Sequence, residues 1–518
     1  YSAAVKHTGQ PTVILAKTIK GYGMGSAGEA QNITHQQKKM GTTSLKDFRD
    51  RFNLPIADSE IDEIPYLTFP DDSPEAKYMH ERREALGGYL PTRRMKGDTL
   101  KAPPISAFDA LLKNSGERTF STTMAFVRIL GTLVKDKTLG KRVVPIVPDE
   151  SRTFGMEGMF RQLGIWSSVG QLYTPEDADQ LMFYKEDKTG QILQEGINEA
   201  GAMSSWIAAA TSYSTHGSSM IPFYIYYSMF GFQRVGDLAW AAGDQRARGF
   251  LLGGTAGRTT LNGEGLQHED GHSHLLSSTI PNCVSYDPTF AYELAVIIQD
   301  GLRRMHQEQE DVFYYITVMN ENYAHPELPK GAEEGIVRGM YPLPSPKTKL
   351  KKALKVQLLG SGTILLEVIA AQALLEQDFG IVASVWSCTS FNELRRDGIS
   401  TARWNMLHPD DDRKLSYVEE CLGNTEGPVI AATDYMRIFA EQIRPYIPNK
   451  NYVVLGTDGF GRSDTREKLR DFFEVDRRYV VIAALSALVE DGVVPKGTVA
   501  EAIKKYGINP DKPEPTTV

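Results

Sequence analysis

The chain has 518 residues, 41% hydrophobic and 24% charged, the balance of a folded globular protein and not of a disordered or collagenous one. At about 150 residues per domain, this length suggests roughly three domains. The net charge of -8, from 57 Lys and Arg against 65 Asp and Glu, argues against a general binder of nucleic-acid backbones. The best apolar run, Val480 to Val489, falls far short of the ~18 residues a membrane span needs. Cys283, Cys388 and Cys421 are too scattered for a disulfide framework and fit a reducing cytoplasm. There is no signal-peptide pattern, and the sequence opens on Tyr1 as though it were a piece of something longer.

In chain order, Pro11 to Lys20 reads as a short apolar strand, followed by Gly21-Tyr-Gly-Met-Gly-Ser-Ala-Gly-Glu29, whose glycines give the backbone little reason to order by itself. Ser44 with Asp47 offers a cap for a helix through Arg51, and a charged helical stretch follows from Glu75 to Leu86. Lys101-Ala-Pro-Pro-Ile105 reads as a linker. From about residue 119 to 325, strands and helices alternate. The strands are expected at Arg142–Val147, Ile221–Tyr227, Gly249–Gly253, Asn282–Tyr286 and Val312–Val318. The helices are expected at Thr122–Lys135, Gln194–Tyr213 and Pro288–Met305. After a second linker at Tyr341 to Lys347, strands at Val356–Gly360, Ile381–Val385, Pro428–Ala432 and Tyr452–Leu455 and a helix at Ile364–Gln377 repeat the pattern. Pro510 to Val518 reads as a tail. Such alternation predicts an α/β fold with parallel sheets covered by helices on both faces.

Open parallel sheets bind ligands beyond the carboxyl ends of their strands. Applied here, that rule gathers Asp149 and Glu150, then Ser228-Met-Phe230 after the aromatic strand ending at Tyr227, then the glycine-rich loop from Gly254 to His274. Any one of these is a plausible solvated loop residue; as a set they point to a site. Glu195 and Glu199 are spaced as helical neighbours, and a run of small and apolar residues follows Glu199. A carboxylate desolvated by that run would rise in pKa and could share a proton with a ligand's ring nitrogen, whereas an exposed helix-surface Glu would do neither.

His268-Glu-Asp-Gly-His272 matches the zinc-peptidase pattern, but glycines 263, 265 and 271 surround it and no amphipathic helix is visible. Leu359-Gly-Ser-Gly-Thr363 has part of a dinucleotide fingerprint and lacks its third glycine. His35 lies in Asn32-Ile-Thr-His-Gln-Gln-Lys-Lys39, where composition alone gives it little more than solvation.

Seven longer motifs carry a resemblance. They are Lys17-Thr-Ile-Lys-Gly-Tyr-Gly, Asn32 to Lys39, Pro148-Asp-Glu-Ser-Arg-Thr-Phe-Gly-Met-Glu-Gly, Gln194-Glu-Gly-Ile-Asn-Glu, Phe223 to Arg234, Leu261 to His274 and Gly456-Thr-Asp-Gly-Phe-Gly-Arg-Ser-Asp. In this order they resemble the homodimeric, bacterial-type pyruvate dehydrogenase components, which depend on thiamine diphosphate. The likeness runs from Gln10 to the C-terminus. It implies a transketolase-like fold in which residues 1–98 end a diphosphate-binding domain, 99–329 form a pyrimidine-binding domain and 330–518 form a C-terminal α/β domain. The family's Gly-Asp-Gly metal motif, with its following Asn, does not occur in this sequence. Magnesium and diphosphate ligands are therefore expected in a part of the family sequence that this chain does not contain, and no metal ligand is assigned.

The resemblance implies that Glu199 faces N1′ of the cofactor's aminopyrimidine, that Phe230 stacks on that ring, and that Asp149, Glu150 and Glu264 line the cofactor pocket. Tyr227 and His268 would contact the pyruvate-derived group. Lys20, Glu29, His35 and Lys38 would lie in an active-centre loop that orders over it, with His35 assisting acetyl transfer to the lipoyl group of dihydrolipoyl acetyltransferase. A second mobile loop is expected around Gly170 to Lys185. The competing readings are sugar transfer of the transketolase type, a zinc hydrolase built on His268 and His272, and a non-catalytic fragment serving dimerisation or complex assembly. No nucleic acid or membrane partner is expected.

Overall fold

In the computed structural model, residues 1–89, 94–148, 151–176, 178–179, 184–345, 353–448 and 451–518 are described. The chain forms two compact units, residues 1–92 and 93–518.

In the first unit, helices α1 (Thr42–Arg51) and α2 (Pro74–Ala85) are joined by turns. The strand expected at Pro11 to Lys20 does not form. Val13 and Leu15 are 80% and 93% exposed, and among the described residues the segment pairs with no strand. A lone extended segment leaves its backbone groups to water, so apolar composition alone cannot make it a strand. The helix near Ser44 is present, but it starts after Gly41 with no side-chain cap, so the Ser44–Asp47 capping pattern is not used. By contrast, Ser73 caps α2 by accepting from the Ala76 N–H at 3.2 Å, with Pro74 at the first helical position, where its fixed φ suits the turn.

The second unit is built on two sheets. The first contains β1 (Val143–Val147), β2 (Leu193–Gln194), β3 (Ile221–Tyr227), β4 (Phe250–Gly254), β5 (Cys283–Tyr286) and β6 (Phe313–Thr317). Its order is β2-β1-β3-β4-β6-β5, with every pairing parallel. The strands β1, β4, β5 and β6 are buried throughout, which is why they read as continuous apolar runs and not as alternating ones. Phe223 and Phe250 are register partners in β3 and β4, and their rings stack at 4.5 Å. Helix α3 (Thr122–Leu133), capped by Ser121, buries Phe126, Ile129, Leu130 and Leu133 at helical spacing.

The second sheet orders β7 (Tyr341–Pro342), β8 (Lys355–Gly360), β9 (Val382–Ser387), β10 (Val429–Ala432) and β11 (Tyr452–Leu455) as β7-β9-β8-β10-β11, with β7 alone antiparallel. The start of the expected second linker is therefore an edge strand. Tyr341 is buried and donates to Glu293 at 2.6 Å. Glu293 lies on the buried helix α4 (Ala291–Leu302) and also accepts from Ser387 at 2.6 Å, so it ties the two sheets together. Burial raises the Glu293 pKa against the pull of those hydrogen bonds.

Of the rest of the linker, residues 346–347 lie outside the described residues. The expected tail is docked: Pro515 is buried, and the Lys512 ammonium donates to the Asp471 and Phe472 carbonyls. The run Val480 to Val489 lies within the helix Arg477–Glu490, and no helix among the described residues is long and apolar enough to cross a membrane.

Candidate active site at the strand ends

Beyond the carboxyl end of β3 the chain turns sharply, with the Phe230 N–H donating to the Tyr227 carbonyl at 2.9 Å, and enters helix α5 (Gly231–Asp244). Beyond β4 runs the loop to His272, which includes a single 3-10 turn at Leu266–His268. These two connections bring three rings together. The His268 imidazole lies 4.9 Å from Phe230 and 5.4 Å from Tyr227, and the two aromatics are 6.0 Å apart. Phe154, from the segment after β1, backs Tyr227 at 5.3 Å. The rings of Tyr227, Phe230 and His268 are half-buried, so each keeps an accessible side.

Glu199 joins this group through Arg234. It is the first residue of helix α6 (Glu199–Ala210), whose cap is the Asn198 side chain accepting from the Gly201 N–H at 3.0 Å. The Arg234 guanidinium, on the first turn of α5, donates to the Glu199 carboxylate at 2.6 Å and lies 4.1 Å from the centre of the Phe230 ring. A pair this exposed, 49% at Arg234 and 17% at Glu199, contributes little stability. What it fixes is direction, because the one guanidinium holds the carboxylate and lies over the ring. Buried residues hold the platform beneath: Trp206 on α6 donates its indole N–H to the Phe250 carbonyl at 3.0 Å.

Two expectations need correction here. Glu195 is not a helical neighbour of Glu199; it follows β2 and accepts from Ser205 at 2.6 Å, since the helix begins only at its Asn198 cap. Nor is Glu199 stripped of polar company by the small residues after it. Ala200, Ser204 and Ala208 face outward, and the carboxylate is held by Arg234.

The zinc-peptidase pattern has no helix to carry it. His268 ends the 3-10 turn, while His272 stands just before a separate short helix, Ser273–Ser277, with no capping bond from its side chain. The fingerprint-like turn at Gly360 to Thr363 packs inward, the Gly362 N–H donating to the Asp287 carbonyl at 3.2 Å and the Thr363 hydroxyl bonded to Thr260. Glu264 is exposed on the loop. Asp149 and Glu150 lie outside the described residues, as do residues 177 and 180–183 of the expected second mobile loop.

The remaining candidates belong to the first unit. There the Glu29 carboxylate accepts from the Gly23 and Gly25 N–H groups at 3.1 and 3.2 Å and from Arg51 at 2.7 Å. The Arg51 hydrogen bond leads in holding its pKa below the ordinary value. Gly23, at φ +94°, passes so close to Phe52 that a Cβ there would stand 2.7 Å from its ring. The glycine loop is thus closed by its own contacts, with the Ala30 N–H donating to the Lys20 carbonyl at 2.9 Å. Lys20, His35 and Lys38 project from it exposed.

Sequence reasoning missed Arg234, Phe154 and the inward partners of the His268 loop. Arg234 is 35 residues from Glu199, and no local periodicity links them.

The fold defined by these sheets and their ends is transketolase-like. The structure matches transketolase from Campylobacter jejuni at a TM-score of 0.59 and 16% identity, over 92% of this chain and 63% of that one. It matches transketolase from Leishmania mexicana at 0.55 and 16%, over 89% of this chain and 57% of that one. In sequence, residues 106–326 match the pyruvate dehydrogenase E1 component middle domain, and residues 339–476 match the transketolase-like C-terminal domain. The chain is 66% identical over its whole length to the pyruvate dehydrogenase E1 component of Cupriavidus necator. It is 67% identical over 99% of its length to that of Pseudomonas aeruginosa, and 57% identical over 99% to that of Escherichia coli. Over its whole length the chain is thus similar to bacterial pyruvate dehydrogenase E1 components. The chain spans 58% of the length of each of these relatives.

Proposed function

We propose that this sequence, at the full length its relatives have, decarboxylates pyruvate with thiamine diphosphate and magnesium and passes the acetyl group to the lipoyl group of dihydrolipoyl acetyltransferase. The observation that carries this reading is the grouping of Glu199, Arg234, Phe230, Tyr227 and His268 at one sheet edge.

The residues fit the cofactor chemically. A flat aromatic beside a carboxylate suits a pyrimidine ring, and the buried His268 Nδ1 has no hydrogen-bond partner among the described residues. When bound, thiamine diphosphate supplies the nucleophilic carbon and the electron sink. Glu199 would hold a proton at the pyrimidine N1′, with Arg234 fixing the direction of its carboxylate. Phe230 would seat the ring. Tyr227 and His268 would donate hydrogen bonds where charge develops on the substrate oxygen. Asp149, Glu150 and Glu264 would line the pocket. Lys20, Glu29, His35 and Lys38 would form the active-centre loop, with His35 assisting the transfer to lipoate. The protein would act as a homodimer, with magnesium and the diphosphate held by residues outside this sequence.

The test is substrate choice. Full-length protein given thiamine diphosphate and magnesium is expected to consume pyruvate in the presence of an artificial electron acceptor and to leave ketose phosphates untouched. Turnover of ketose phosphates with no pyruvate consumption would replace this reading with the transketolase one.

A further inference from the structure

The C-terminal sheet has no part in the chemistry above, yet its loops hold the His268 loop from behind. Asp434, just past β10, accepts from the N–H and hydroxyl groups of Thr259 and Thr260 at 2.5 to 3.1 Å. Arg258 is buried and donates to the Thr457 carbonyl at 2.6 Å, and Arg466 donates to the Thr260 carbonyl at 2.6 Å.

Nearest the site, the Arg462 N–H donates to the Glu269 carboxyl at 2.6 Å. Gly461 approaches so closely that a Cβ there would stand 2.3 Å from the Leu266 carbonyl oxygen and 2.9 Å from the Glu269 Cβ. Glu269 follows His268 directly and is fully buried, and its second oxygen has no partner among the described residues. A buried carboxyl with one unpaired oxygen is costly, and its presence calls for a reason.

We propose that Glu269 is a positioning residue for His268: its carboxyl latches the site loop onto the Arg462 segment, and this latch is the contribution of the C-terminal sheet to the reaction. The proposal rests on the reading of His268 given above. Burial pushes the Glu269 pKa up to about 8, opposed by the Arg462 N–H and by Arg258 and reinforced by Asp434. The charges around the latch are thus Arg258 from the site loop and Asp434 from the C-terminal sheet, with Asp270 and Asp458 acting on Arg258. At neutral pH the latch is an uncharged acid. Ionisation above about pH 8 would set a negative charge in the buried latch and loosen it.

The experiment compares Glu269→Gln, Glu269→Ala and Gly461→Ala in the full-length protein. It reads pyruvate turnover against pH, and hydrogen exchange of the 263–272 amides without substrate or cofactor. Glu269→Gln, which keeps the acceptor, is expected to match the parent near neutral pH, to keep its amide protection, and to hold its rate above about pH 8 where the parent declines. Glu269→Ala is expected to lose on the order of tenfold to a hundredfold in kcat with little change in KM, and to lose protection across the loop. Gly461→Ala attacks the latch from the other side and should do the same, which guards against a folding defect at Glu269. Parental rate and protection in Glu269→Ala, or a Gln variant as damaged as the Ala variant, would overturn the proposal. His268→Ala separates the two levels. If it is inactive while Glu269→Ala is parental, the latch alone is wrong; if it turns over at the parental rate, the site reading falls and the latch with it.

Discussion

The site at the end of β3 and the glycine loop around Glu29 carry the same kinds of residue and are held in opposite ways. Glu199, Tyr227 and Phe230 stand on the ends of buried elements, and Trp206, Phe223 and Phe250 fix the backbone under them. Glu29 is also paired with an arginine, but its loop is closed by a few hydrogen bonds reaching no further than Arg51, with Lys20, His35 and Lys38 exposed. The difference separates two jobs. On the proposed function, a group meeting a ring nitrogen at a fixed distance would need a packed scaffold, and a segment covering substrate would need bonds cheap enough to exchange.

Four measurements would break or sharpen that contrast. Trp206→Ala removes a buried indole and its bond to β4, and should cost about 3 to 5 kcal/mol in urea unfolding. A loss below about 1 kcal/mol would mean that the platform is not what holds α6 in place.

Next in size is a pH dependence of stability. Burial raises the folded pKa of Asp287 to about 7 and that of Glu269 to about 8, while unfolded carboxyls titrate near 4. The folded state therefore binds more protons than the unfolded one between those values. Stability is fully present below about pH 4 as far as these two groups are concerned, and is lost as pH rises through about 7 to 8. Glu269→Gln should flatten that slope by on the order of 1 kcal/mol per pH unit; an unchanged slope would refute the raised pKa.

Phe230→Ala should weaken thiamine diphosphate binding to the full-length protein by about tenfold in calorimetric titration, since ring stacking contributes about 1 kcal/mol. Unchanged affinity would remove Phe230 from the pocket. Smallest is Glu29→Ala, expected to shift global stability by less than about 1 kcal/mol while speeding proteolysis between Lys20 and Gln36. A large loss of global stability would contradict the loop's independence.

Much of this was legible in the sequence because burial writes itself into composition. The continuous apolar runs of β1, β4 and β6 marked a covered parallel sheet, and the rule about carboxyl ends then gathered Tyr227, Phe230 and His268 before any geometry was known. What composition could not convey is pairing at a distance. Pro11 to Lys20 had strand-like residues but no neighbour, and Tyr341 looked like linker because its partner Glu293 lies 48 residues away. Arg234 was visible only as the end of a motif, and Glu269 only as the second letter of a misleading zinc pattern, since its latch to Arg462 spans 193 residues. Helix caps are a nearer failure: Asn198, not a longer helix, decides that Glu195 and Glu199 point to different partners.

The claim on which the account turns is that Glu199 works on the cofactor ring. Glu199→Gln in the full-length protein, assayed for pyruvate decarboxylation at saturating thiamine diphosphate and magnesium, measures it directly. The account predicts that turnover is abolished, falling by at least about a hundredfold while the protein still folds and dimerises. Near-normal turnover would contradict it.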